Sequence, residues 1–488
     1  SMPMQLIAEK VSRRSNNVVT SKETMKKNLN IIILGLAALS LSSCKTLYGK
    51  YERPDVKTSG IVRDVASDTD TLAVKDTTTF ANIPWRSVFT DPQLQSIIEK
   101  GLNNNVNLLN AALNVKIAEE QLKCAKLAFV PSLAFTPQGT IASWDGQAAT
   151  KTYTMPVTAS WMVDLFGNLL SQKRSAQMAL LQLQDYQVSV KTNLIANIAN
   201  MYYTLLMLDK QVELVNNMEG LTKDTWETMQ KMHDLRLGYR TPAIQSAESN
   251  YYSVLTQKTD LLRQIRETEN SLSLLIGDQA HSIARGKLDN QSLPSNFSTG
   301  VGIQLLNNRA DVHAAEMNLA QCFYGVETAR SKFYPSITIS GTGAFTNSGG
   351  MGIVNPGKWL LSAVGSLTQP IFQNGRIIAG LKVAKMQYEQ AYNTWQNTLL
   401  KAGSEVSNAL VLYNYSDEKS KIEQKRIEGL EKNVESTKEL MGIAGSSYLE
   451  IIQAQSSLLN VQLSKVADDF YKMQAVVNLY YALGGGAK

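Results

Sequence analysis

The chain carries one long pattern twice, and that duplication limits its fold more than any single motif does. A helical stretch at 118–128 ends in Phe129-Val130-Pro131-Ser132, and another at 314–329 ends in Phe333-Tyr334-Pro335-Ser336 (129 to 333, an offset of 204). Asp164-Leu165-Phe166-Gly167 is answered by Pro370-Ile371-Phe372-Gln373-Asn374-Gly375, Gly238 by Gly445, and Leu275-Ile276-Gly277 by Ala482-Leu483-Gly484. A period this long excludes a solenoid of small units and means two copies of one large unit. Each copy reads helix, strand hairpin, very long helix, tight turn, helix. The first repeat occupies 91–277 with its hairpin at 131–164, and the second 309–484 with its hairpin at 335–370. Residues 278–308 form an inter-repeat segment.

The hairpin segments alternate with period two. Tyr153, Met155, Val157, Ala159, Trp161 and Val163 alternate with Thr154, Thr158 and Ser160 among others, and Leu361, Ala363, Gly365 and Leu367 with Ser362, Ser366 and Thr368. Each alternating run is about ten residues, the length a tilted strand needs to cross a bilayer. Trp144-Asp145-Gly146 and Asn347-Ser348-Gly349-Gly350 read as the hairpin tips. Four such strands cannot close a barrel, and open edges in lipid leave backbone groups unsatisfied, so closure requires several chains. Three would give twelve strands.

The long helices have coiled-coil spacing. Ile377, Leu381, Ala384, Tyr388, Ala391, Trp395, Leu399, Ala402 and Val406 follow in steps of three and four. From Asn168 to Gly238 the chain would reach on the order of 100 Å as helix, which suits a rod or tube rather than a compact domain. Gly220 and Gly429 are expected to disturb these rods locally. Pro131, Pro335 and Pro370 stand where the period changes, and Gly167 and Gly375 where the backbone must turn. These five are the expected corners between strand and helix.

The front of the chain reads as a targeting segment. Met25-Lys26-Lys27 precedes an apolar run from Ile31 to Leu41 that is too short to span a bilayer as a helix. It closes on Leu41-Ser42-Ser43-Cys44, which is similar to a bacterial lipobox. Residues 25–43 are therefore a lipoprotein signal peptide and Cys44 the acylated, palmitate-bearing residue. Residues 44–90 follow as an N-terminal anchor and extended segment, and 1–24 precede a better start at Met25. Cys124 and Cys322 read as small buried hydrophobes. The formal charge of +6 gathers mostly before Cys44, with no basic–aromatic interleaving for nucleic acid.

Catalytic signatures are missing. His233, His281 and His313 lie far apart without ligand spacing, and no nucleophile elbow, P-loop or dinucleotide fingerprint occurs. Glu119-Glu120 and Asp468-Asp469 read as solvated charges, and Met229 and Met232 as packing. No catalytic residue, metal site or cofactor is expected.

Ordered on this frame are Phe89-Thr90-Asp91-Pro92-Gln93-Leu94, Trp161-Met162-Val163-Asp164-Leu165-Phe166-Gly167, Asn308-Arg309-Ala310-Asp311-Val312, Gln369-Pro370-Ile371-Phe372-Gln373-Asn374-Gly375-Arg376 and Gly445-Ser446-Ser447-Tyr448-Leu449-Glu450. Together they resemble the TolC-like outer-membrane efflux family, in its lipoprotein branch serving resistance-nodulation-division (RND) pumps. That resemblance implies a mixed α and β membrane protein. Its homotrimer would form a 12-stranded β-barrel continued by a 12-helix α-barrel tunnel, with a mixed α/β equatorial belt. It implies a passive exit duct for small molecules, anchored in outer-membrane lipid and fed by a periplasmic adaptor and an inner-membrane RND-type pump. Glu450 and Gln453 match positions where many members carry gate carboxylates, Gln453 departing from the acidic pattern. Arg236, Gly238, Arg240, Gly442 and Gly445 fall at the helical tips, where ion pairs and adaptor docking are expected. A protein-secretion exit duct shares the fold, and a coiled-coil envelope lipoprotein would explain the helices while leaving the strands without a role.

Overall fold

The computed structural model describes residues 49–56, 60–63, 80–294, 309–346, 358–440 and 448–487. Cys44, the signal peptide, the tip of the second hairpin, and Gly442 and Gly445 lie outside these residues. The helices are α1 (Trp85–Val88), α2 (Pro92–Asn104), α3 (Val106–Leu127), α4 (Asn168–Asp234), α5 (Thr241–Leu275), α6 (Ala310–Ser331), α7 (Arg376–Leu440) and α8 (Tyr448–Ala482). The strands are β1 (Ser132–Phe135), β2 (Gln138–Ala142), β3 (Thr150–Val163), β4 (Ser336–Thr346) and β5 (Lys358–Thr368). Two compact units result, and each draws on both sequence repeats.

The first unit holds the sheet and the helix ends that feed it. β1 and β2 are one interrupted strand. Phe135 pairs with Val157 and Gln138 with Thr154, so the register runs through the break unchanged. The interruption falls at Thr136-Pro137, opposite Pro156, where neither proline has an N–H for the ladder. The order is then an antiparallel meander, β1/β2–β3–β4–β5, with β3 and β4 joining the two repeats. The expected four strands are therefore present, one of them broken.

Register sorts the two faces. Val157 pairs with Gly343, Ala159 with Gly341, Trp161 with Ile339 and Ile337 with Leu367, all on one side. The opposite side carries a hydroxyl ladder, with Thr154 Oγ1 3.1 Å from Thr346 Oγ1 and Thr158 Oγ1 3.1 Å from Thr342 Oγ1. The apolar face is bare: Leu133, Phe135, Met155, Val157, Ile339, Leu361 and Leu367 are exposed. At about 3.3 Å per residue, the 11 residues of β5 reach far enough to cross a tilted bilayer band.

The second unit holds most of the helical length. α4 has 67 residues and α7 has 65, about 100 Å each at 1.5 Å per residue. Both pass through Gly220 and Gly429 without a break, contrary to the sequence expectation. A single glycine costs a helix only about 1 kcal/mol, and packing along the flanking turns outweighs it. Val215 and Met218 of α4, Val254 of α5, Ile427 and Val434 of α7, and Ala454, Leu458 and Val461 of α8 share one buried cluster. Two helical hairpins thus pack into one core. None of the described helices is long and apolar enough to cross a membrane.

Both repeats end in the same cap. Gly277 (φ 72) follows α5, with Asp278 N donating to Ser273 O at 2.9 Å. Gly484 (φ 89) follows α8, with Gly485 N donating to Tyr480 O at 2.9 Å. This is the Schellman arrangement, in which a left-handed residue lets a later N–H reach back to an otherwise orphaned carbonyl. A polar brace then holds the segment after the first repeat. Arg285 pairs with Asp209 at 2.5 Å and with Glu269 at 2.6 Å, and Tyr202 donates to Asp91 at 2.6 Å. Burial raises the Asp91 carboxyl, but bonds from Tyr202, Gln291 and two backbone N–H groups outweigh it and hold the group below its usual value. The segments at 278–294 and 80–91 contain short helical turns and extended chain, with no strand among the described residues.

Candidate functional site

The strand corners belong to the first unit. α3 runs out at Leu127, Pro131 stands just before β1, and the indole N–H of Trp161 donates to Phe129 O at 3.0 Å. In the second repeat Pro335 stands just before β4, and Gln369 Nε2 donates to Phe333 O at 3.1 Å. Equivalent carbonyls are thus satisfied by different side chains, Trp161 within β3 and Gln369 just after β5. Gly167 (φ 70) turns the chain into α4, whose first turn is capped by Asp164 Oδ2 accepting from Leu170 N at 2.8 Å. Pro370 follows β5, and Asn374 (φ 50) and Gly375 (φ 76) make the corresponding turn into α7. Phe166 and Tyr334 stack at 5.1 Å, and Asn168 Nδ2 donates to Ser331 Oγ at 2.8 Å, so the two repeats touch at these corners.

The first helical tip is a tight turn between α4 and α5. Arg236 (φ 59) and Gly238 (φ 121) adopt left-handed backbone, and Leu237 N reaches back to Met232 O at 2.8 Å. His233 Nδ1 lies 2.6 Å from Tyr239 O, and Arg240 precedes α5 with Pro242 in its first turn. Leu235, Arg236, Leu237 and Arg240 all project into solvent. Neither arginine has an acidic partner within the chain among the described residues.

At the second tip α8 starts at Tyr448, and Glu450 and Gln453 point to solvent, flanked by the buried Ile451 and Ala454. Spacing of three places them on one helix face. Glu450 makes no ion pair within the chain among the described residues.

Sequence reasoning missed how the two hairpins are tied near these tips. Lys438 of α7 pairs with Asp224 of α4 at 3.1 Å, and buried Gln455 of α8 donates to Thr225 Oγ1 of α4 at 2.8 Å. Lys258 of α5 meets Glu219 of α4 at 2.7 Å, and Trp226 stacks on Tyr251 at 5.7 Å. Thr225 and Gln455 are polar residues inside heptad stripes, which was the available signal. Met229 is fully buried, as packing requires. Cys124, in contrast, is exposed and Cys322 only half-buried, since both sit on helix flanks rather than on the core stripe. Asp468 is buried rather than solvated.

Comparison with known proteins agrees across most of the chain. The sequence profile of the family described as "Outer membrane efflux protein" matches residues 97–278 and 302–485. "Cation efflux system protein CusC" of Escherichia coli (strain K12) is 24% identical over 459 residues, covering 92% of this chain and 98% of the relative. "Probable outer membrane lipoprotein SilC" of Salmonella typhimurium is 23% identical over 458 residues, covering 91% and 96%. A crystal structure of CusC, described in terms of folding and transmembrane channel formation, superposes with a TM-score of 0.79 at 22% identity, covering 90% of this chain and 99% of that one.

Proposed function

The chain belongs to the outer membrane efflux protein family, and from that premise we propose that three copies close into a single duct across the outer membrane and periplasm. Membership makes the protein an outer-membrane channel of an efflux system, a transport duct and not an enzyme. One observation carries the closure of several chains into one barrel. The sheet has an apolar face and a Ser/Thr face in strict register, and it ends in two unpaired edges, β1/β2 and β5. In hydrocarbon every backbone group must be satisfied, so such a sheet survives only closed. Four strands per chain and three chains give a twelve-stranded barrel, with the apolar face to lipid and the hydroxyl face to water. α4 and α7, with the shorter helices α3, α5, α6 and α8 stacked end to end beside them, supply four helical tracks per chain, hence a twelve-helix tunnel.

Within that assembly Cys44 carries the acyl chains that anchor the chain to outer-membrane lipid, as the name of the SilC relative implies for SilC. Glu450 forms an acidic ring at the far end of the tunnel, with Gln453 behind it. Arg236 and Arg240, without acidic partners in one chain among the described residues, pair with carboxylates of neighbouring copies. The tip turns dock a periplasmic adaptor, through which an inner-membrane pump delivers cargo. The duct takes whatever its pump delivers. Single-channel recording in a planar lipid bilayer tests this reading. Discrete conductance steps from purified, assembled protein are expected, and assembled protein that inserts without conducting at any voltage would overturn it.

A further inference from the structure

Helices α7 and α8 bury two carboxyl groups against each other. Glu423 and Asp468 are only 4% and 3% exposed, and both carboxyls flank the Lys419 ammonium. Ser464 Oγ donates to Glu423 Oε1 at 2.6 Å. Lys419 Nζ donates to Asp468 Oδ1 at 3.0 Å and stands 3.8 Å from Glu423 Oε1. Lys419 is also 3.0 Å from Asp468 Oδ2, but not in a direction that makes a hydrogen bond. Glu423 Oε2 and Asp468 Oδ2 are therefore left without a donor. If both groups were ionised, two negative charges would share one ammonium and two buried acceptors would have no hydrogen between them. Either condition is unfavourable in a site removed from water.

The surrounding charges do not relieve it. On α8, Asp469 is occupied by Ser420 Oγ at 2.6 Å and by Lys465 at 2.7 Å. On α7, Asp417 is held by Lys421 at 2.6 Å and by Lys472 of α8 at 2.5 Å, which keeps its carboxyl below the usual range. Tyr471 of α8 acts on Lys419. From α4, Gln211 donates to Leu463 O at 3.5 Å and brings no charge. A single proton on this pair removes one of the two negative charges and leaves one carboxylate for Lys419.

We propose that Glu423 keeps a proton at neutral pH and donates it in a hydrogen bond to Asp468, forming a proton-binding site that ties α7 to α8. Burial, with Asp468 alongside, pushes the Glu423 carboxyl above its ordinary value of 4.5, against the opposing pull of Ser464 and Lys419. A carboxyl raised on folding contributes stability that is complete below the unfolded value and is lost as pH rises through the folded value. The seam between α7 and α8 therefore loosens on the alkaline side, independently of how the channel conducts.

Infrared difference spectra and thermal midpoints of the full-length, detergent-solubilised protein test the site. The parent should show a protonated carboxylic-acid C=O band at neutral pH that is missing from Glu423→Gln and from Asp468→Asn. Glu327, also raised by burial, contributes equally to every spectrum and cancels in the difference. Between about pH 5 and about pH 9, which spans the ordinary carboxyl and histidine range, the parent midpoint should fall. Glu423→Gln should lose most of that fall. The amide mimics the protonated acid, its oxygen accepting from Ser464 and its nitrogen donating to Asp468. A band that persists in both variants, or an undiminished fall in Glu423→Gln, overturns the proposal. Should Glu423→Gln fail to assemble, the band in Asp468→Asn decides the question in the same way.

Discussion

Three glycines give predictions of different sign and size, because the structure places them in different surroundings. Gly277 has φ 72, and a Cβ there would stand 2.6 Å from the carbonyl oxygen of Asn104 and 3.0 Å from its carbon. That carbonyl belongs to the elbow between α2 and α3, which is itself fixed by Asn105 Nδ2 donating to Leu275 O at 2.8 Å and by Asn105 Oδ1 accepting from Leu108 N at 3.0 Å. Gly277→Ala must place an L-residue in the left-handed region, about 1–2 kcal/mol, and push backbone against backbone, about 1–3 kcal/mol more. The total is about 2–5 kcal/mol. Gly375 has φ 76 but nothing within 4 Å of a Cβ, so Gly375→Ala should lose only the conformational part, about 1–2 kcal/mol. Gly220 is exposed inside α4 with nothing within 4 Å, and Gly220→Ala should gain about 0.5–1 kcal/mol. Thermal midpoints of the detergent-solubilised assemblies, followed by circular dichroism, should rank Gly220→Ala above the parent, then Gly375→Ala, then Gly277→Ala. Equal losses for Gly277→Ala and Gly375→Ala would refute the close-approach argument, and a destabilising Gly220→Ala would refute the uninterrupted helix.

Three other outcomes are expected. Mass spectrometry of protein extracted from its native membrane should find a mature N-terminus at Cys44 bearing acyl chains; an unmodified free thiol there counts against the anchor. Arg309 is buried, donates to Ala482 O at 3.1 Å and pairs with Asp311 at 2.6 Å and Glu405 at 2.8 Å. Arg309→Ala should lower stability by about 3–5 kcal/mol by stranding these acceptors, visible as a fall in thermal midpoint that Arg309→Lys only partly reproduces. Glu450→Gln should weaken block of the channel by trivalent cations applied from the tunnel end; unchanged block in an intact assembly would remove Glu450 from the gate.

What can be read from the sequence is whatever has a period. Duplication, period-two strands and heptads fix element type and order, because burial of one face dictates residue spacing. The alternation in Met155, Val157, Ala159 and Trp161 therefore reads correctly as one face of a strand, and Ile377 to Val406 as a rod. Local backbone rules locate the turns, since Gly167, Gly375 and Gly277 adopt conformations that side chains disfavour. Contacts between distant segments leave no such trace. Nothing in the order of residues pairs Gln455 with Thr225 or Arg285 with Asp209. The sequence misplaces Asp468 because its neighbour Asp469 does face polar partners, and adjacent helix positions point to different azimuths. Gly220 and Gly429 mislead in the other direction, because a local propensity of about 1 kcal/mol is set against packing along a long helix. The gate assignment at Glu450 and Gln453 rests on family resemblance alone, and the chain by itself leaves both residues in solvent.

The central claim is that two unpaired sheet edges force several chains to close into one hollow body, three being the number that the family resemblance implies. Electron-microscopic reconstruction of the detergent-solubilised protein, without imposed symmetry, tests it most directly. The account predicts a three-fold particle in which each chain contributes four strands to one closed barrel around an open axis. A stable monomer with its sheet edges free, or an assembly whose axis is filled by side chains along its length, would contradict it.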